Sequence, residues 1–476
     1  MSFNLEKRDP YFWEALVSIT ALILFISLAI LRYETDPHVP ILLGVFVAAL
    51  VGLRAGYSYK EIETGMLNGI TNSLQAIVIL AIVGILIGVW ILSGVVPTLV
   101  FYGLKILHPS IFLPATLIIC SITSLATGSS WGTSGTIGIA LIGIGQGLGF
   151  PLPLVAGAVL SGAYFGDKMS PLSDTTNMAP AMVGTDLYTH IKHMTYTTGV
   201  SYAITLVIEI VLGFFYGGGQ ANLESVNQIL TGIESQFTVN PLFLIPPLII
   251  LVLAFKKIPA VPGIVIGIMA AGILGIIFQK NDFGSLLTAA YGGYTSNSGI
   301  EAVDNLLTKG GFSSMMYTIS LVICAMMYGG IMEKTNQLRV VVSVILKKAQ
   351  STGSLITATI LTAIGCNIIL CDQYMSIVMT GKMYAQSYKD KGLHAKNLSR
   401  AIEDSATVTA NLVPWNSGGA YQAATLGVPT ILYLPFNFFC WITPIVSMLY
   451  GWLNITIDPI DTELDEPDQE VEKEKI

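Results

Sequence analysis

The chain has 476 residues, of which 53% are hydrophobic, 11% charged and 47 glycine, with a mean hydropathy of +0.69. A soluble globular domain carries about 25% charged residues, so the composition excludes one and calls for an all-α polytopic membrane protein embedded in a lipid bilayer. The formal charge of −7 arises largely in the stretch 458–476, which has no apolar periodicity and reads as an acidic disordered tail. No nucleic-acid partner is expected.

Taken in chain order, MSFNLEKRDPYFW is a short basic flank before the apolar segment Ala15 to Leu31, and no small-residue cleavage site follows. Residues 1–36 therefore read as a retained first span. Further apolar runs lie near 40–53, 74–92, 110–126, 152–165, 199–216, 241–255, 258–278, 314–332, 354–371, 396–413 and 426–453, which predicts about 10–12 transmembrane helices. Several runs are shorter than the roughly 20 residues of a straight crossing and abut Gly, Ser, Thr and Pro clusters, as re-entrant or broken helices do. The polar connection 217–240 carries Glu224 and Glu234 but no Lys or Arg. It reads as an outer-face linker between two halves, 37–216 and 241–457, with the N-terminus cytoplasmic because Lys7, Arg8, Arg54, Lys60, Lys256 and Lys257 would then lie inside. The pair Lys347 and Lys348 and the cluster Lys389, Lys391, Lys396 and Arg400 do not fit one side simply. The five cysteines, Cys120, Cys324, Cys366, Cys371 and Cys440, are scattered through apolar segments and read as reduced packing residues.

A gapless shift of one half onto the other pairs Pro171 with Pro414 and Gly184 with Gly427, and it superposes the polar breaks. GSSWGTSG (128–135) falls on CDQYMSIV (371–378), and GDKMSPLSDTTN (166–177) on TANLVPWNSGGA (409–420). An internal repeat with matching interruptions is the mark of a secondary transporter whose site lies near the midplane between the repeats.

Four polar knots carry the chemistry. The first, a Gly-rich bend with Ser129, Ser130 and Thr133 around Trp131, offers hydroxyl and carbonyl oxygens to a hard cation, although small residues also serve helix packing. In the second, Pro171 interrupts a helix and frees carbonyls beside Asp167, Ser173, Asp174, Thr175 and Asn177. A carboxylate there has its proton favoured by desolvation and displaced by a bound cation, so the two compete. Asp174 is the first choice as carrier and Asp167 the second. Lys168 beside Asp167, or a capping role for Asp174, are the alternatives. The third knot holds Asn367 and Asp372, and the fourth holds Glu403, Asp404 and Asn416, with Arg400 four residues before Asp404 as a candidate partner. Glu209 is a lone acid inside an apolar segment, with pairing and transport both open.

GSSWGTSGTIG together with SGAYFGDKMSPLSDTTNMAPAMVGTDLYTHIKHMTYT resembles the NhaC-type Na+/H+ antiporter family over nearly the whole chain. The resemblance implies two inverted repeats, each with a re-entrant hairpin and a broken helix, and elevator-type alternating access in an inner (plasma) membrane. It implies Na+ and H+ as transported ions with no cofactor, and in some members coupling to malate or lactate. By position it places Ser129, Ser130 and Thr133 at the first hairpin tip, and Asp167, Ser173, Asp174, Thr175 and Asn177 in the unwound helix. Na+ is expected at Asp174, Asp167, Ser130 and Thr175. A homodimer stays open.

Two other functions compete with cation exchange. An organic-anion exchanger on the same scaffold would want a cation near the site, where Lys168 and Lys382 are the bases at hand, or helix N-termini in their place. Gly128-Ser129-Ser130-Trp131-Gly132 fits a G-x-S-x-G pattern, and Ser130 or Ser134 with His190 or His193 would make an intramembrane serine protease. The elbow requires a preceding strand, however, and this is helix, so no enzyme is expected.

Overall fold

The structure, a computed structural model, describes residues 6–217, 223–256 and 258–460. Among these, all regular elements are helical apart from two isolated β-bridges, Tyr294 with Lys309 and Leu393 with Pro459. Among the described residues seven helices are long and apolar enough to cross a bilayer, and up to nine if two bent pairs each count as one span. The other anticipated crossings are shorter or carry charge, such as His38–Arg54 and Val95–Ile106, and Leu152–Met169, which holds Asp167 and Lys168 in its last turn.

The packing is that of a protein solvated by hydrocarbon. On the helix Leu187–Gly217, Val207, Val211, Phe214 and Phe215 are exposed, while Thr197, Ser201, Thr205 and Glu209 are buried. Apolar residues outward and polar ones inward are what lipid requires, because polar groups then find partners only inside the bundle.

The repeat is written in the helix boundaries. Helices begin at Pro109, Ser130, Leu152, Asp174 and Leu187, and again at Thr352, Gln373, Ala395, Ser417 and Thr430, each 243 residues later. The ends Gly147 and Val183 recur at Asp390 and Leu426 with the same spacing. Gly128 and Gly184 lie in the left-handed region at φ 68° and 79°, as do Cys371 and Gly427 at 59° and 70°. Side-chain contacts repeat too. Ser124 donates to the carbonyl of Ala163 at 2.5 Å, and Asn367, 243 residues later, donates to that of Ala406 at 2.7 Å.

Two segments differ from the sequence reading. Within 217–240, Leu223–Gln236 is a helix with Ile229 and Ile233 buried, because apolar residues at 226, 229, 230 and 233 recur with helical period. The first residues of the acidic tail are docked. Asp458 accepts at its carbonyl from Asn397 Nδ2 (2.7 Å), pairs with Lys396 (2.7 Å), and Ile460 donates its N–H to Gly392. The rest of that tail, 461–476, and Lys257 of the orientation argument lie outside the described residues.

Candidate functional site

The site begins with two interruptions of helix. Pro109–Thr127 stops where Gly128 turns left-handed. A Cβ on Gly128 would lie 2.6 Å from the carbonyl carbon of Leu172, so only glycine lets this tip approach the second break closely. Ser129 then caps a new helix, its Oγ accepting from Gly132 N–H at 3.0 Å. A π-helical segment, Ser134–Gly138, follows before regular helix resumes. The second interruption is at 170–173: Leu152–Met169 ends, Pro171 prevents continuation, and Ser173 caps Asp174–Val183 by accepting from Thr176 N–H.

These breaks converge on Asp167. Its Oδ2 accepts from Ser130 Oγ of the hairpin tip and its Oδ1 from Ser173 Oγ of the second break, both at 2.6 Å. Ser173 Oγ lies 3.0 Å from Thr175 Oγ1. Asp167 is 6% exposed, and Ser130, Ser173 and Thr175 are buried. Two carboxylate oxygens and three hydroxyls thus form one oxygen cluster with no base paired to it among the described residues, since Lys168 pairs elsewhere. Among the described residues no group of three or more His, Cys, Asp or Glu could hold a metal ion. One carboxylate among neutral hard oxygens suits a monovalent hard cation, not a transition metal.

Lys168 crosses to the second repeat. Its Nζ lies 2.6 Å from Asp404 Oδ1, with both side chains fully buried, and Thr197 Oγ1 donates to the same oxygen at 3.0 Å. Asp404 sits in a π-helical segment, Glu403–Thr407. The alternatives weighed from sequence, Lys168 with Asp167 and Arg400 with Asp404, are both absent. Adjacent helical residues diverge around the axis and do not face each other. Arg400 instead donates to the carbonyl and hydroxyl of Thr456 at 3.1 and 2.8 Å.

The remaining predicted residues divide between the cluster and its scaffold. Asp174, ranked first from sequence, is exposed at the first helical position after the break; because Ser173 turns inward as the cap, the buried position belongs to Asp167. Asn177 is also exposed and donates to the carbonyls of Pro171 and Ser173 at 2.9 and 2.7 Å, satisfying what the proline frees. Thr176 does the same for the carbonyls of Asp167 and Lys168. Those carbonyls, expected to serve a cation, thus accept side-chain hydrogen bonds in this arrangement, and a carbonyl oxygen has two lone pairs. Thr133 donates to Ser129 O within the tip.

In the second repeat Asp372 caps its hairpin helix, accepting from Met375 N–H at 2.9 Å and from Ser417 Oγ at 3.1 Å. Asn416 donates to Asn367 O. Asp372 and Ser417 thus join the tip and break of their own repeat, as Ser130 and Asp167 do in the first. Sequence reasoning missed a bridge between repeats: Trp131 of the first tip stacks on Tyr421 at 4.2 Å, and the Tyr421 hydroxyl donates to Trp131 O at 2.8 Å. Its only sequence signal is an aromatic residue placed in a glycine-rich bend.

The residues weighed for a protease each have other partners. Ser134 donates to Ser130 O, His190 contacts Ser399, and His193 lies between the carbonyls of Lys396 and Thr456.

This arrangement has relatives. The profile described as the Na+/H+ antiporter family matches residues 162–455. The Malate-2H+/Na+-lactate antiporter of Bacillus subtilis (strain 168) is 43% identical, covering 94% of this chain and 96% of the relative. The Na+/H+ antiporter NhaC of Alkalihalophilus pseudofirmus is 40% identical, covering 95% and 97%. The Na+/H+ antiporter NhaC of Bacillus subtilis is 39% identical, covering 88% and 93%.

Proposed function

The chain belongs to the Na+/H+ antiporter family, and from that membership and the Asp167 cluster we propose that it exchanges Na+ for H+ by alternating access, with Asp167 as the group the two ions share. The carrying observation is a buried carboxylate with hydroxyls at 2.6 Å on both oxygens and no cationic partner among the described residues. Burial favours the protonated form, and a cation at the same oxygens favours the ionised one. Binding one therefore expels the other. With Na+ present, Ser130, Ser173 and Thr175 rotate their hydroxyl hydrogens away and offer lone pairs. Lys168 and Asp404, with Trp131 and Tyr421, tie the broken helices of both repeats into one body. That body moves against the remaining helices, in inverted repeats as elevator-type access requires.

The membrane is the inner (plasma) membrane with the N-terminus cytoplasmic. Supporting this, Lys7 pairs with Glu61, and Arg8 and Arg54 both pair with Glu14, which gathers basic residues at one end. A second reading, exchange coupled to a small carboxylate, is favoured by the 43% identity to a malate/lactate antiporter. Proteoliposomes loaded with a pH-sensitive dye decide between them. Na+ gradients alone driving pH change supports simple exchange, and pH change only when malate or lactate is supplied supports the coupled form.

A further inference from the structure

The helix Leu187–Gly217 carries a carboxyl group that the Asp167 cluster does not use. Glu209 lies about two turns from the Gly217 end and is fully buried, and neither of its carboxyl oxygens has a hydrogen-bond partner among the described residues. It sits where this helix meets Pro109–Thr127: one turn further on, a Cβ on Gly213 would lie 2.8 Å from Ser110 O and 3.3 Å from Pro114 Cδ. Pro114 has no N–H to give that carbonyl, so Ser110 O lacks its helical donor. The two helices that pack most extensively on this one, Pro109–Thr127 and Phe438–Leu453, contain no Asp, Glu, Lys, Arg or His. Their titratable groups are Cys120, Cys440 and Tyr450. Asp167, Lys168, Asp174, Lys396, Arg400, Glu403 and Asp404, on the other elements packed against the helix, meet its first half, where His190, His193, Met194 and Thr197 contact Ser399, Lys396, Lys168 and Asp404. On the helix itself, Tyr202 is bonded to Ser121 at 3.1 Å, and Tyr216 lies about two turns beyond Glu209. An ionised carboxylate at this place would be an uncompensated buried charge, so the group holds a proton.

Between Glu209 and the polar first half runs a stripe. Thr197, Ser201, Thr205 and Glu209 recur every fourth residue, which puts them on one face, and all four are fully buried. Ser201 Oγ donates to Thr197 O at 2.9 Å and Thr205 Oγ1 to Ser201 O at 2.8 Å, while Thr197 Oγ1 donates to Asp404 Oδ1 at 3.0 Å. Each hydroxyl has one proton to give and lone pairs with which to accept another. The stripe therefore joins two carboxyl groups, and each has oxygen without a partner: Oδ2 of Asp404 and both oxygens of Glu209.

We infer that Glu209 is a proton relay, filled from solution at the Gly217 end of the helix and emptied along the hydroxyl stripe toward Asp404. The span from Glu209 to Thr197 is about 18 Å at 1.5 Å per residue, and hydroxyls one turn apart pass a proton through a water between them. The O–H bond of Glu209 breaks as an O–H bond forms at Asp404 Oδ2, each hydroxyl and water between giving one proton as it takes one. Glu209 then takes a proton from water, so atoms and charge balance. This route does not pass through the Asp167 oxygens. The relay rests on the exchange reading for the proton's destination, whereas proton binding at Glu209 does not.

The test uses the full chain. In purified protein, the infrared band of a protonated carboxyl should be lost in Glu209→Gln, and in wild type that band should shift within minutes of transfer to D2O; no band lost, or a band that never shifts, would overturn the inference. In proteoliposomes, supplied with malate or lactate where the wild type requires it, Na+-driven pH change should fall about tenfold or more in Glu209→Gln and in Thr205→Val. Counterflow of radioactive against unlabelled Na+, which moves no net proton, should stay within about twofold in both, and Glu209→Asp should recover part of the pH change. A pH change within about twofold of wild type in Glu209→Gln, or counterflow lost together with it, would overturn the relay. If Glu209→Gln does not fold, Thr205→Val, which removes one hydroxyl and little volume, decides by the same two fluxes. A wild type that moves no proton under a Na+ gradient defeats the exchange reading and the relay with it, and leaves the infrared shift to decide proton binding at Glu209.

Discussion

Replacing Lys168 by Met leaves Asp404 fully buried with Thr197 as its remaining donor, and replacing Asp404 by Leu leaves the Lys168 ammonium against the sulfur of Met194 at 3.5 Å. At the observed 2.6 Å, an effective dielectric of about 20 gives roughly 6 kcal/mol of attraction. Removing two ions from water consumes several kcal/mol for each, so the intact pair is nearly neutral against an apolar pair. A single substitution loses the attraction and keeps one penalty. Each single variant should therefore lose about 3–5 kcal/mol, and Lys168→Met/Asp404→Leu together less than either alone. Thermal unfolding in detergent, scored by monodisperse fraction after heating, measures this. Singles within about 1 kcal/mol of wild type, or a double variant as damaged as the two singles combined, would refute the buried cross-repeat pair.

Gly128→Ala should destabilise by about 2 kcal/mol or more, from left-handed strain and the collision with Leu172, and should lower exchange further by displacing Ser130 from Asp167; a melting curve and a flux assay separate the two effects. Asp174→Asn should retain Na+-driven exchange within about threefold, since an exposed charge is well screened; loss of flux with normal expression would return Asp174 to first place. Truncation before Thr456 should destabilise by about 3–5 kcal/mol, because Arg400 loses both oxygens that Thr456 gives it, whereas truncation after Ile460 keeps those contacts and should avoid that loss. The Lys396 ammonium bonded to Asp458 holds that carboxyl below its usual value. A depressed acid stabilises above its unfolded pKa and loses that contribution as pH falls through the folded one, so docking of the tail should weaken as pH falls; hydrogen exchange of residues 456–460 against pH, corrected for the intrinsic pH dependence of exchange, reads this, and protection unchanged down to pH 3 would oppose it.

The helix breaks were legible because glycine, proline and capping residues act locally. Gly128 and Pro171 interrupt helices wherever they stand, and the offset of 243 found by aligning polar breaks recurs in the helix starts. Ranking the acids was not legible. Whether Asp167 or Asp174 turns inward depends on the path of residues 170–173, and that path is set by the Gly128 tip packed on Leu172, a contact 44 positions away. Lys168 with Asp404 spans 236 residues and joins different repeats, so no helical spacing encodes it. The helix in the linker was hidden by its Asn, Ser and Gln content, although Ile229 and Ile233 carried the period.

Shared occupancy of Asp167 by Na+ and H+ is read by proton release. Purified protein in weakly buffered detergent solution, near the pH where exchange is half-maximal, is titrated with NaCl against choline chloride while pH is recorded. Saturable release of up to roughly one proton per chain, fading as the starting pH rises and missing from Asp167→Asn, is the expected result. Saturable Na+ binding with no proton released, or the same release from Asp167→Asn, would contradict it.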